Sequence, residues 1–166
     1  MDRHCETFDH TADVGLTAWA DSLGELLAAL AEGLTDVICV RSLMRPAAVR
    51  KLDVEAQDHE ALAVDFLSRV LYIFAVDGFL LAEASVKVLA GGGQAGGGQG
   101  GGGQGGGGQG GGGQSGGRTA ILAELAGETY DPGRHEIRTE VKAVTYHQIK
   151  IAPEGGRWVG RVILDL

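Results

Sequence analysis

The residues best equipped for chemistry lie near the two ends of the chain. DHTADVG places Asp9, His10 and Asp13 within one short stretch, and VILDL puts Asp165 next to last, with a terminal carboxylate on Leu166. Clustered carboxylates serve two kinds of chemistry, proton transfer and the gripping of a hard cation. Proton transfer is poorly supported. His10 with Asp9 or Asp13 makes a base pair, but no activated nucleophile stands near it. Cation binding depends on where the strands run. If those carrying Asp13 and Asp165 are neighbours, both side chains and the terminal carboxylate converge. Two unit charges about 4 Å apart repel by about 4 kcal/mol at an effective dielectric of about 20. A divalent ion relieves that repulsion, and all-oxygen ligation selects calcium or magnesium over zinc. His10 would add a nitrogen ligand and shift the preference. Spacing alone leaves the other reading open, with Asp9 and Asp13 as turn and cap residues and Asp165 as a surface charge.

The elements that position these residues are legible from periodicity. Cys5–Phe8 reads as a short strand and DHTAD as a turn. From Val14 to Ala20 apolar residues alternate, with Val14, Leu16, Ala18 and Ala20 on one face. By parity Asp13 falls on the other face, with Gly15, Thr17 and Trp19. SLGE, Ser22–Glu25, is a capping box. Leu23, Leu26, Leu27, Leu30, Leu34, Val37 and Ile38 follow at helical spacing, with Gly33 a local blemish. Val49, Leu52 and Val54 alternate as a strand. Asp58 caps a second helix whose apolar stripe includes Leu62, Phe66, Val70, Ile73 and Phe74, and Asp77-Gly78 ends it. Strands are expected over Phe79–Leu89, Arg118–Leu125, Val141–Ile151 and Trp158–Leu166, with a turn-rich loop at Glu128–Arg134. In the last strand Trp158, Val162, Leu164 and Leu166 share one face, and Val159, Arg161, Ile163 and Asp165 the other. Two helices among strands, without strict alternation, predict an α+β domain: a mostly antiparallel or mixed sheet with two main helices.

Residues 91–117 are a Gly/Gln low-complexity tract with nothing apolar to bury, expected to be a flexible insertion between strands of one domain spanning 1–166. Closing it costs only about 1.7 kcal/mol more than a four-residue hairpin loop, at about 0.6 per doubling. The remainder, in a chain 44% hydrophobic, suffices for one core. The net charge of −8 disfavours stand-alone binding of a phosphate backbone and suits a cation or a basic protein partner. Cys5 and Cys39 show no zinc spacing and read as reduced thiols. The N-terminal residues lack the apolar core of a secretory leader, and no apolar run is long enough to span a membrane, so a cytoplasmic location is expected. The tract lacks the GK[ST] ending of a P-loop. His135 and His147 fit no metalloprotease pattern and read as surface or satisfied core residues. In KAVTYH, Lys142–His147, the lysine suits an edge strand, either blunted against aggregation or offered to a partner.

FDHTADVGL near the start, EVKAVTYHQI at Glu140–Ile149 and WVGRVILDL at the end together resemble the archease family. SLGELLAALAEGL and DFLSRVLYIF fall where that family has its two helices. The resemblance implies a small, non-catalytic α+β protein assisting the GTP-dependent RNA-splicing ligase. The ligase joins 2′,3′-cyclic-phosphate or 3′-phosphate ends to 5′-hydroxyls and guanylylates its own histidine. The protein would promote that step and restore multiple turnover, engaging the ligase transiently and RNA only through it. The resemblance also implies a metal site of Asp13, Asp165 and Leu166, with calcium the expected ion and magnesium or manganese the alternatives. The tract is unusual for the family, as is a final Leu where Ile is commoner. A main-chain carboxylate ligand tolerates the latter. A stand-alone metal-dependent hydrolase and a general chaperone-like binding module remain the competing expectations.

Overall fold

A computed structural model describes residues 2–10, 12–89 and 117–166. Residues 90–116, nearly all of the Gly/Gln tract, lie outside the described residues, as does Thr11 in DHTAD. Among the described residues the order is β1 (His4–His10), β2 (Asp13–Ala20), α1 (Leu23–Ile38), a short 3-10 turn (Arg41–Leu43), β3 (Ala48–Ala56), α2 (His59–Asp77), β4 (Phe79–Leu89), β5 (Thr119–Thr129), β6 (Ala143–Glu154) and β7 (Arg157–Asp165). The strands form two sheets, a four-stranded one in the order β1-β2-β7-β6 and a three-stranded one in the order β3-β5-β4. All pairings are antiparallel. The α+β expectation therefore stands, with the strands divided between two sheets.

Both helices begin where the sequence places them. Ser22 accepts the Glu25 N–H at 3.2 Å, and Asp58 accepts the Ala61 N–H at 2.7 Å. Gly78 ends α2 in the left-handed conformation, φ 64°. Helix α1 is buried nearly all round because it touches both sheets, β4 on one side and β1, β2 and β7 on the other. Its two glycines explain how. A side chain at Gly24 would overlap the Val86 carbonyl of β4, and one at Gly33 would overlap the Cys5 sulfur of β1. Nine residues apart, they lie on opposite helix faces, so each lets one sheet approach. The apparent blemish at Gly33 is thus a packing requirement. The core cluster joins Leu16, Leu26, Leu30, Leu62, Phe66, Ile121 and Leu164 into one interior.

Differences from the sequence reading are local. Strand β1 continues to His10, so Asp9 and His10 belong to a strand rather than to the expected turn. Strand β5 runs through Glu128 rather than ending at Leu125. Strand β4 pairs with β5 across the tract, with Leu89 opposite Ala120. Beyond β5 the chain crosses to the other sheet, held by a Cys39–Ile137 bridge and by the Arg138 N–H donated to the Ile38 carbonyl at 2.8 Å. That crossing delivers Val141 and Lys142 to the start of β6.

Candidate functional site

The candidate site is a corner of the four-stranded sheet, assembled by register. His10 pairs with Asp13 in the β1–β2 hairpin. Val14 pairs with Leu164, and one residue further the same register sets Asp13 opposite Asp165. Ala143 of β6 faces Asp165 on the other side. One row across the sheet therefore passes through His10, Asp13, Asp165 and Ala143. Residues opposed in an antiparallel pair point to the same face, with Cβ atoms about 4.5–5.5 Å apart. The register makes β2 and β7 neighbours, the condition on which the expected convergence of Asp13 and Asp165 depended. Asp165 is exposed, Asp13 and Leu166 are half-buried, and the Leu166 side chain packs against the core.

Two features hold this corner in shape. Phe8 lies across Gly15, where any side chain would overlap its ring. The Arg161 guanidinium sits 4.5 Å from the Phe8 centroid on the same outer face. The glycine of DHTADVG is therefore the seat of an aromatic ring two residues from Asp13. On the β6 side, the Lys142 backbone N–H donates to the Asp165 carbonyl at 2.8 Å, and Lys142 Nζ donates to the Leu166 carbonyl oxygen at 2.8 Å. Sequence reasoning placed Lys142 on an edge strand; β6 is an edge, and Lys142 lies just before it, the strand beginning at Ala143 rather than Val141. It missed the reach of that lysine to Leu166, because a contact between residues so distant in the chain leaves no local pattern. Arg161 was placed on the outer face by parity, but its ring partner was not legible.

If Asp13, Asp165 and the Leu166 main-chain oxygen meet, they make an all-oxygen donor set, chemically suited to a hard cation. Among the described residues no three His, Cys, Asp or Glu side chains gather as a metal cluster. An ion here would rest on Asp13, Asp165 and the Leu166 oxygen.

Other polar groups are structural. Glu128 and His135 are both buried. Arg134 donates to both Glu128 oxygens, at 2.8 and 3.0 Å, and Glu128 Oε1 also accepts the Arg45 N–H at 2.9 Å. His135 Nδ1 accepts the Asp131 N–H at 2.9 Å, which leaves the proton on Nε2, 3.0 Å from Glu128. Its hydrogen bond with Arg134 is the chief reason the Glu128 carboxyl is held down at about 2, the bonds from Arg45 and His135 adding to it. Thus His135 is a satisfied core residue. Sequence reasoning left Glu128 in a turn-rich loop, and alternation from Ala123 and Leu125 would have put it on the exposed face, so its burial in β5 had no local signal. Glu32, also buried, accepts from Arg3 at 2.6 Å and from the Ala84 N–H at 3.0 Å, tying β1 and β4 to α1. Both cysteines are free thiols. Burial, with Asp36 adding to it, raises Cys5 to about 12 and Cys39 to about 11. Ser22 is occupied as a helix cap. No helix among the described residues is long and apolar enough to cross a membrane.

Comparison with known proteins gives this corner its context. The model of the Archease protein family matches residues 5–166. The protein archease of Methanopyrus kandleri is 32% identical over 161 residues, covering 97% of this chain and 98% of that one. The protein archease of Pyrococcus abyssi is 31% identical over 162 residues, covering 97% of each. The solution structure of Methanobacterium thermoautotrophicum protein 1598 superposes with a TM-score of 0.70 at 29% identity, covering 98% of both chains. With its family pattern matched from Cys5 to Leu166 and its two-helix, two-sheet fold shared with a solved relative, the chain belongs to the archease family.

Proposed function

We propose that this protein is a metal-binding accessory factor that activates the RNA-splicing ligase, promoting its guanylylation and its multiple turnover, while not being the catalyst itself. Membership of the archease family supports an accessory role beside an RNA ligase. The observation that supports the finer reading is the register of β2 against β7, which sets Asp13 opposite Asp165, the residue before Leu166. Asp13, Asp165 and Leu166 would hold the ion, calcium by its preference for flexible oxygen ligation, with magnesium or manganese as alternatives. When bound, such an ion supplies positive charge that orients phosphate oxygens. The chain's own residues prepare the corner. Phe8 and Arg161 brace the hairpin over Gly15, Lys142 fixes the Leu166 oxygen, and the exposed Asp165 presents negative charge to a cation-rich partner site. RNA is reached only through the ligase, in keeping with the net charge of −8.

The test is ligation with RNA in large excess over ligase. Wild-type protein should permit many rounds per ligase. Asp13→Asn and Asp165→Asn should each leave about one round, with unchanged circular dichroism. Equal turnover with both variants would contradict the proposal. Phosphoester hydrolysis by the protein alone would instead support a hydrolase, and indiscriminate stimulation of unrelated enzymes, insensitive to both variants, a chaperone-like module.

A further inference from the structure

The four-stranded sheet turns one face to the core and leaves the other uncovered by either helix. Leu16, Ala18, Val162 and Leu164 point inward. Alternation sends Glu6, Phe8, Thr17, Trp19 and Arg161 to the opposite face. There β1, β2 and β7 carry an open cleft of about 280 Å3, lined by Glu6, Thr7, Phe8, Thr17, Trp19 and Arg161. That volume is close to the lower bound of about 300 Å3 for small-ligand sites.

The two ends of the cleft are aromatic. Trp19, half-buried, stacks on His4 with the ring planes 18° apart. Phe8 lies over Gly15, with the Arg161 guanidinium 4.5 Å from its centroid. Between them Thr17 pairs with Glu6 on one side and with Arg161 on the other. At about 4.8 Å per strand, the backbones of Glu6 and Arg161 stand about 10 Å apart.

Arg161 has a cation's needs only partly met. Its guanidinium has the Phe8 ring, but among the described residues no carboxylate pairs with it, and its Nε is buried without a hydrogen-bond partner. Arg157 on the same strand, by contrast, is paired with Asp21 at 3.4 Å. A guanidinium fork matches the oxygens of a carboxylate or phosphate. At the other side of the cleft Glu6, 62% exposed, repels an anion and accepts from N–H donors. Trp19 presents a ring for stacking, and planar bases stack on aromatic rings and guanidinium planes alike. The cleft is thus polarised, suited to an anionic group over β7 and a flat ring with N–H donors towards β1 and β2. A nucleotide combines those two parts.

We infer that this face binds a single nucleoside 5′-phosphate, its base against Trp19 and its phosphate on Arg161. The net charge of −8 opposes a long phosphate backbone, so the ligand is a free nucleotide and not an RNA strand. The inference goes beyond the accessory role and uses neither an ion nor the acidic corner.

The experiment titrates 15N-labelled protein with GMP, AMP, guanosine, ribose 5-phosphate and a pentaribonucleotide, following amide and indole N–H signals. Both monophosphates should shift Thr17, the Trp19 indole and Arg161 to saturation. Guanosine and ribose 5-phosphate, each lacking one contact, should need at least about tenfold higher concentration. Trp19→Ala and Arg161→Gln should each weaken GMP binding at least about tenfold. If Arg161→Gln loosens the hairpin, Trp19→Ala decides. Lys51→Gln, an exposed cation on the other sheet, should leave GMP binding unchanged. Absence of saturable shifts up to about 10 mM GMP or AMP would overturn the inference. So would ribose 5-phosphate binding as tightly as GMP, tighter binding of the pentaribonucleotide, or full binding by Trp19→Ala. Because the titration contains no ligase, each of those failures leaves the accessory role standing.

Discussion

At the scale of single residues, the corner depends on side chains that are not its carboxylates. Gly15 has no room for a Cβ because Phe8 fills that space, and Arg161 sits on the same ring. Gly15→Val would push Phe8 off the sheet and splay the hairpin that carries Asp13. Overpacking of this kind costs about 1–3 kcal/mol, and urea unfolding should show a loss of that order together with lost ligase stimulation. A variant as stable and active as wild type would refute the bracing role. The Glu128 cluster makes a prediction in pH. Its carboxyl titrates at about 2 in the folded chain against an ordinary 4.5, held down chiefly by Arg134. A depressed carboxyl stabilises the fold fully above its ordinary value, and that stabilisation is lost as pH falls from about 4.5 towards 2. Between pH 6 and pH 2.5 the wild-type urea midpoint should therefore drop further than that of Glu128→Gln. Parallel acid limbs would show that the cluster does not contribute. Parity revealed which face Asp13, Arg161 and Asp165 occupy, because a strand alternates strictly. It could not reveal that Glu128, Arg134 and His135 meet a backbone donor at Arg45, since that meeting depends on the crossing after β5.

At the scale of elements, the helices were the most legible parts because their signals are local. Ser22 and Asp58 each precede an apolar-periodic run and accept a backbone N–H three residues on. Asp58→Ala should cost about 1 kcal/mol, within the usual range for a lost N-cap. The loss should be visible as a lower urea midpoint with unchanged ligase stimulation at saturation, because the cap lies outside the acidic corner. A neutral midpoint would mean that the cap bond is not formed in solution. The strands were legible as strands but not as members of two sheets. Alternation says which residues share a face and nothing about which strand lies alongside. The division follows from α1, whose glycines at 24 and 33 admit a sheet on each side. A single-face amphipathic helix would have covered one sheet, and α1 instead buries most of its surface. The β6 edge shows a further tertiary effect. Its pairing with β7 is interrupted between Thr145 and Lys150, where Gln148 adopts φ 51°. A bulge at an exposed edge disfavours strand addition. The reading of KAVTYH as a protected edge fits this better than a strand offered for pairing.

At the scale of the whole molecule, the fold brings the beginning and end of the chain to the same corner. The hairpin β1–β2 and the last strand β7 are neighbours in one sheet, with everything between them forming the helices, the second sheet and the edge strand. The core explains the stability of that arrangement, and the net charge of −8 suits a cationic counterpart better than a phosphate backbone. Membership of the archease family over residues 5–166 implies association with an RNA ligase. Most directly, the account is tested by covalent labelling of the ligase. Purified ligase is incubated with GTP and manganese, with and without this protein, and the guanylylated fraction is quantified over time. Wild-type protein should accelerate labelling, and Asp165→Asn, folded by circular dichroism, should not. Equal acceleration by the two would contradict the claim that the acidic corner is what acts on the ligase.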